Sequence, residues 1–276
     1  MRIALYQARS GIDPEANAAD LTAAVRDAAA GRAAMLFTPE MSGLLDQDRT
    51  RAAPHLRTEA EDPVLAAVRE AAREAGIWVH LGSLALLGGE GGRLANRGFL
   101  IDAEGAIRAR YDKIHLFDVD LATGESWRES AAYAPGGKAV VAQTPLGPLG
   151  LSICYDLRFA RLYAALSCSG AAAISIPAAF TVPTGAAHWH VLIRARAIES
   201  ACFAIAAAQC GAHEDGRRTY GHSLVVDPWG TVLLDMGEAE RSLGFAELDL
   251  GQVEEVRGRL PVLRHRRGFA PPEPAK

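Results

Sequence analysis

Residues 147–163 read GPLGLSICYDLRFARLY, and the hydrophobic rhythm changes in the middle of them. Leu149–Ile153 is a short apolar run of strand type. Phe159, Leu162, Tyr163 and Leu166 then fall at i, i+3, i+4 and i+7, the spacing of a helix that starts near Arg158. Cys154 sits between the two. A strand-to-helix turn pushes one side chain out past the end of the sheet and aims backbone N–H groups at whatever lies beside it. A nucleophile would be well placed there. A free Cys is also among the residues most often buried as a small apolar group, so the stretch by itself leaves both readings open.

Working outward, the same unit recurs. Met1–Ala8 reads as a strand. Asp13-Pro14 opens a helix with Leu21, Ala24, Val25 and Ala28 along one face, Gly31 stops it, and Ala33–Phe37 is a short apolar strand. Asp62-Pro63 opens a second helix bearing Leu65, Val68 and Ala72, with Gly76 as its stop and Ile77–Leu81 as the strand after it. The helix from Arg158 ends at Gly170, before a strand at Ala171–Ile176. Helix, glycine, buried strand, repeated, points to a layered α/β fold. Arg93–Asp112, Ala139–Ile153 and His222–Asp235 read instead as hairpins, with turns at Glu104-Gly105, Leu146-Gly147 and Pro228-Trp229-Gly230. Hairpins mixed with βα units imply a mixed sheet or two packed sheets. No linker or break in composition divides the chain, so residues 1–270 read as one domain and Pro271–Lys276 as a loose tail.

The 276 residues are 49% hydrophobic and 22% charged, ordinary for a globular protein, with a net charge of -4. That balance offers no electrostatic reason to expect nucleic acid or an anionic membrane as partner. No apolar run approaches a membrane span, and MRIALYQARS turns polar too early for a secretory signal. Four cysteines without a CxxC pair or disulfide-framework density suggest a reducing, cytoplasmic setting.

Two further residues stand just past strands: Glu40 after Thr38-Pro39, and Lys113 in YDKIHLFDVD. Each alone reads as a solvated loop charge. With Cys154 they form a complementary set, because α/β sheets gather their sites at strand ends. A thiol needs a base, and a carboxylate shielded from water has its pKa raised toward neutrality, where it serves as one. An ammonium beside them would stabilise an oxyanion. The histidines offer a less developed alternative: His115, His188, His190 and His222 have no distinguishing setting. His188 and His190 are two apart and cannot share a helix face. No carboxylate or Cys cluster completes a metal site with them, so neither a metal nor an organic cofactor is expected. Gly88–Gly92 reads as a turn rather than a phosphate loop.

TPE around Glu40, YDKIHLFDVD around Lys113 and SICYDLRF around Cys154 together resemble the Glu–Lys–Cys signature of the nitrilase superfamily of carbon–nitrogen hydrolases. PAAFT at 177–181 and AHWHVLIRARAIES at 187–200 resemble family segments as well, so the similarity spans nearly the whole chain. The resemblance implies a four-layer αββα sandwich that forms a homodimer or higher oligomer, and hydrolysis of a small amide or nitrile through a thioester on Cys154. It also implies a second glutamate after the lysine, a place that Glu129 in WRES fills. Without the family, Glu129 is an undistinguished loop carboxylate.

HLFDVD, CYDLRF, AAAQCGAH, YGHSLVVDPWG and LPVLRHRR are most similar to the deaminated-glutathione amidase branch, with omega-amidase, which acts on 2-oxoglutaramate, as its near relative. Both substrates carry carboxylates. By family position Arg158 would clamp one, unless it is a helix-start Arg paired with Asp156 or another acid. The Tyr155 N–H would help hold the oxyanion, and Phe180 and Thr181 would line the pocket or simply pack. The chain departs from relatives at Ala160-Arg161, where they carry Pro-Glu, which bears on helix entry and pocket rim. An N-carbamoyl amidase, a nitrilase proper and a silent binding homologue are the competing readings.

Overall fold

The structure, a computed structural model, describes residues 1–122 and 124–271. The tail expected at 271–276 therefore lies, beyond Pro271, outside the described residues. Two six-stranded sheets carry the architecture. One runs β16 (Ser242–Glu247), β1 (Arg2–Gln7), β2 (Met35–Phe37), β3 (Trp78–Leu86), β4 (Ala95–Ile101), β5 (Ile107–Asp112). The other runs β15 (Val232–Asp235), β14 (Leu224–Val226), β11 (Phe203–Ala206), β10 (Ala173–Ser175), β9 (Gly147–Leu151), β8 (Val140–Thr144). The central triplets β1-β2-β3 and β9-β10-β11 are parallel, and their outer neighbours pair antiparallel. Two small hairpins, β6 (Asp118–Asp120) with β7 (Ser126–Arg128) and β12 (Cys210–Ala212) with β13 (Arg218–Tyr220), stand apart from the sheets.

The alternation of side chains along the strands sorts them into layers. Ile3, Leu5, Met35 and Phe37 enter one core with Leu149, Leu151, Phe203 and Ile205 of the second sheet. Ala4, Tyr6 and Leu36 point the other way, into a core shared with helices α1 (Pro14–Ala30) and α3 (Pro63–Ala75). Burial on both faces explains why these strands read as continuous apolar runs. Helices α4 (Ala160–Cys168) and α5 (Val182–Ser200) cover the far face of the second sheet through Leu162, Leu166, Trp189 and Ile193. The result is the expected αββα sandwich. A single turn, α2 (Arg49–Ala52), and a helix near the C-terminal end, α6 (Gly251–Arg259), complete the α-helices among the described residues.

The caps act as their residue types dictate. Asp13 and Asp62 accept from Glu15 N and Leu65 N, and Gly76 ends α3 in the left-handed region. One expectation fails. The helix after the nucleophile does not start near Arg158: Cys154–Arg158 is a 3-10 turn, and α4 begins at Ala160. The Asp156 carboxylate accepts from Ile153 N at 2.9 Å and tightens the turn, while Phe159 swings out to stack on His115 at 3.6 Å. Phe159 thus belongs to a ring contact, not to the helix stripe. β3 also runs on to Leu86, past the expected Ile77–Leu81, and every residue of it after Trp78 is buried.

Gly82 in β3 is the position that lets the Glu40 loop lie against the sheet. A Cβ there would collide with the carbonyl oxygens of Thr38 and Pro39, backbone atoms that cannot turn aside. Gly82→Ala should therefore displace Glu40. The expected result, read by denaturation and initial rates, is a loss of about 1–3 kcal/mol of stability together with a drop in turnover.

Candidate active site

Glu40, Lys113 and Cys154 converge between the sheets, each just beyond a strand end. Glu40 follows β2, and its backbone is clamped on several sides: Thr38 N donates to His80 O, Ser42 N to Ser83 O, and Gln209 Nε2 to the Glu40 carbonyl. Lys113 follows β5, held by Lys113 N to Asn96 O at 3.0 Å and Gly136 N to Lys113 O at 2.7 Å. Cys154 follows β9 with its own N–H on Pro177 O at 2.8 Å. Its φ of 50° places a non-glycine residue in the left-handed region, strain of the kind that a sharp turn presenting a side chain stores.

The side chains form one network. Lys113 Nζ lies 2.8 Å from Glu40 Oε1 and 2.8 Å from Glu129 Oε2. Asn96 Nδ2 bridges the same two carboxylates at 2.9 and 3.1 Å, while Ala179 N donates to Glu40 Oε2 and Phe117 N to Glu129 Oε2. Lys113, Glu40 and Cys154 are 2%, 4% and 7% exposed, so these charges interact with little water between them. Glu129, an undistinguished carboxylate by sequence, is the second anion on Lys113. It sits in the one-turn helix Glu129–Ala131 that follows the β6–β7 hairpin.

Electrostatics correct one expectation. Burial does push the Glu40 carboxyl up, but Lys113 and hydrogen bonds from Cys154, Lys113 and Asn96 outweigh it, and its pKa ends below the usual 4.5. For Cys154, burial and the neighbouring Glu40 charge hold the thiol well above its ordinary value despite Lys113. Burial opposes the charge on Lys113, yet Glu129 and Glu40 raise its pKa well above normal. The resting arrangement is therefore a carboxylate, an ammonium and a neutral thiol. Glu40 is ready to accept a proton at pH 7 without any upward shift.

The site opens into a cavity of about 450 Å³. Phe180 and Thr181 line it, as do Tyr155 and Arg158. Arg158 is not paired with Asp156, whose oxygens are taken by Tyr111 Oη, His115 and Ile153 N. Its guanidinium lies 5.7 Å from the Tyr155 ring and 5.4 Å from the Phe180 ring, with His188 Nδ1 at 3.3 Å, and no carboxylate reaches it among the described residues. Phe117, Trp127 and Tyr133, which the sequence did not single out, complete much of the wall; Asn96, also not singled out, joins the two carboxylates behind it. A buried Asn in a strand is visible by pattern, but its partners lie in three separate segments. His190, His222 and Asp235 do meet, with candidate ligand atoms within 4.8 Å of one another, contrary to the expectation that no carboxylate joins these histidines. Each imidazole there pairs at 2.9 Å with its own oxygen of Asp235, and the trio is satisfied as a hydrogen-bonded group.

The carbon–nitrogen hydrolase family profile matches residues 2–258. The chain belongs to that family. It is 40% identical over 267 residues to a deaminated glutathione amidase of Yersinia enterocolitica, covering 96% of this chain and 92% of that one. It is 39% identical over 269 residues to the deaminated glutathione amidase of Homo sapiens, covering 96% and 82%. The crystal structure of the C. elegans NitFhit protein superposes with a TM-score of 0.88 at 38% identity, covering 96% of this chain and 65% of that one. The protein is accordingly a carbon–nitrogen hydrolase with the fold of that superfamily.

Because Glu40 is the group that must be ionised, and its pKa is depressed, its ionised fraction is complete at neutral pH and is lost only as pH falls below about 4.5. The acid limb of kcat/KM should lie below that value. An acid limb near pH 6–7 would show that the carboxylate is not held down by Lys113.

Proposed function

We propose that the protein is an amidase for deaminated glutathione. In this reading Glu40 accepts the Cys154 proton as the sulfur attacks the amide carbon, and Lys113 and the Tyr155 N–H hold the oxyanion. Tyr155 is suited to this because the first N–H groups of a helical turn lack intrahelical partners. Glu40 then returns the proton to the departing amine, and a Glu40-activated water hydrolyses the thioester. Glu129 keeps Lys113 and the substrate in register. Glu40 moves the protons of this cycle: it passes the Cys154 proton to the amine, then takes one from the attacking water and returns it to the departing Cys154 sulfur.

The observation that carries the substrate class is Arg158. It is a guanidinium on the cavity wall that also holds the nucleophile, set between two rings and, among the described residues, free of any carboxylate. A planar fork of this kind suits a substrate carboxylate. The relatives named above support deaminated glutathione as that substrate, with 2-oxoglutaramate as the second reading because it carries the same acyl half.

We also place a homodimer contact on α5. Val191 and Ile198, one helix face, and Trp229 beside them are 69%, 43% and 61% exposed, and Arg194 ties that turn to the helix. Among the described residues no helix is long and apolar enough to cross a membrane. The four unpaired cysteines favour a reducing compartment such as the cytoplasm.

Cys154→Ala should abolish hydrolysis of both amides and remove the acyl-enzyme mass seen after rapid acid quench. Arg158→Ala should raise KM for both about 10–100-fold, the weight of a charge-assisted hydrogen bond, with the fold intact by thermal melting. Turnover by the Cys154 variant would sink the thioester mechanism. An unchanged KM would remove Arg158 from the substrate.

A further inference from the structure

Thioester chemistry divides a substrate in two: the acyl half stays on Cys154 and the amine half leaves. Deaminated glutathione and 2-oxoglutaramate deliver the same acyl half, a 2-oxoglutaryl group. They form one acyl-enzyme and share every step after the amine departs. Discrimination between them must therefore arise earlier, from groups that touch the leaving half. That half is ammonia in one case. In the other it is a dipeptide that ends in a carboxylate.

The rim of the cavity holds a group of the right kind. Of the arginines that line it, Arg128 pairs with Asp120 at 2.7 Å, Arg217 with Asp215 at 2.7 Å, and Arg49 donates to the Arg128 carbonyl at 3.1 Å. Arg158 is assigned above to the acyl half. Arg218 remains, and among the described residues it makes neither an ion pair nor a side-chain hydrogen bond. An arc of rings leads from Arg158 to Arg217, the residue before Arg218. Arg158 lies over Tyr155, Tyr155 meets Phe117 at 5.1 Å, Phe117 meets Trp127 at 6.4 Å, and Arg217 covers Trp127 at 5.0 Å. Arg158, which meets His188 and two rings, and Arg218 thus supply two cationic stations on the rim, as a substrate with a carboxylate at each end requires.

The backbone under Arg218 is fixed even though its side chain is exposed. Thr219 pairs with Thr181 across an antiparallel bridge, its hydroxyl lies 2.7 Å from His213 Nε2, and Tyr220 N donates to Phe180 O at 2.9 Å. The hairpin that carries Arg218 is therefore fastened to the same Phe180–Thr181 segment that walls the nucleophile. A leaving group seated against it is placed relative to Cys154, not merely attracted to the protein.

We infer that Arg218 binds the terminal carboxylate of the departing amine and makes the site selective for amides whose leaving half is a peptide-like acid. The inference rests on the amidase reading above. Its test compares kcat/KM for deaminated glutathione with that for the same compound bearing a carboxamide in place of the glycine carboxylate. The wild-type enzyme should prefer the acid about tenfold, the effect of one partly solvated charge pair. Arg218→Ala should bring that ratio to near one, and Arg218→Lys should restore part of it. A ratio that survives Arg218→Ala overturns the inference, as does a wild-type enzyme indifferent to the carboxylate. If wild type hydrolyses 2-oxoglutaramate but neither peptide-like amide, the substrate reading has failed, and the assignment of Arg218 fails with it.

Discussion

The buried ammonium of Lys113 between Glu40 and Glu129 is the constraint from which the rest of the site follows. Removing each of these ions from water costs several kcal/mol, and that is offset only where geometry and extra hydrogen bonds are good. Here they are: both carboxylates approach to 2.8 Å, and Asn96, Ala179 N and Phe117 N satisfy further lone pairs. The same contacts decide the chemistry. They keep Glu40 ionised inside the protein, so a base is available at neutral pH, and they leave the thiol protonated until a substrate arrives. Losing one partner would leave the others as uncompensated buried charge, which is why the network works as a unit.

Such a network needs rigid supports from distant parts of the chain. The two sheets supply them by stacking the parallel strands that end at Glu40 and at Cys154. His80 Nδ1 meets Ser175 Oγ at 3.0 Å between the sheets, within an otherwise apolar interface. Asp156 adds a second tie. It joins the turn that holds Cys154, through Ile153 N, to Tyr111 and His115 on either side of Lys113. The nucleophile and the ammonium are thereby set against one another by a side chain that is itself fully buried.

The rim is built on different terms from the centre. Its arginines and rings come from α2, from the turn after β9, from the segment after β10 and from the β6–β7 and β12–β13 hairpins, and none of these side chains belongs to the buried charge network. Ala160-Arg161, the departure from the family pattern noted in the sequence, stands outside both zones: both residues are exposed at the start of α4, and neither lines the cavity nor joins the charge network. Chemistry at the centre and selectivity at the rim are in this sense separable.

Much of this was legible before folding. Helix caps at Asp13 and Asp62, the apolar strands and the Glu40, Lys113 and Cys154 motifs are local, because capping and periodicity are short-range properties of the chain. The resemblance of those motifs to a known family added Glu129 and the sandwich. What only the tertiary structure decided are properties of residues far apart in sequence. The depression of the Glu40 pKa depends on a lysine and an asparagine from other strands, and the wrong sign follows if burial alone is considered. The freedom of Arg158 depends on Asp156 being claimed by Tyr111 and His115, and the late start of α4 depends on Phe159 finding the His115 ring. Sequence specified which groups are present and which element carries each. Proximity, and with it protonation and partner choice, came from packing the two sheets together.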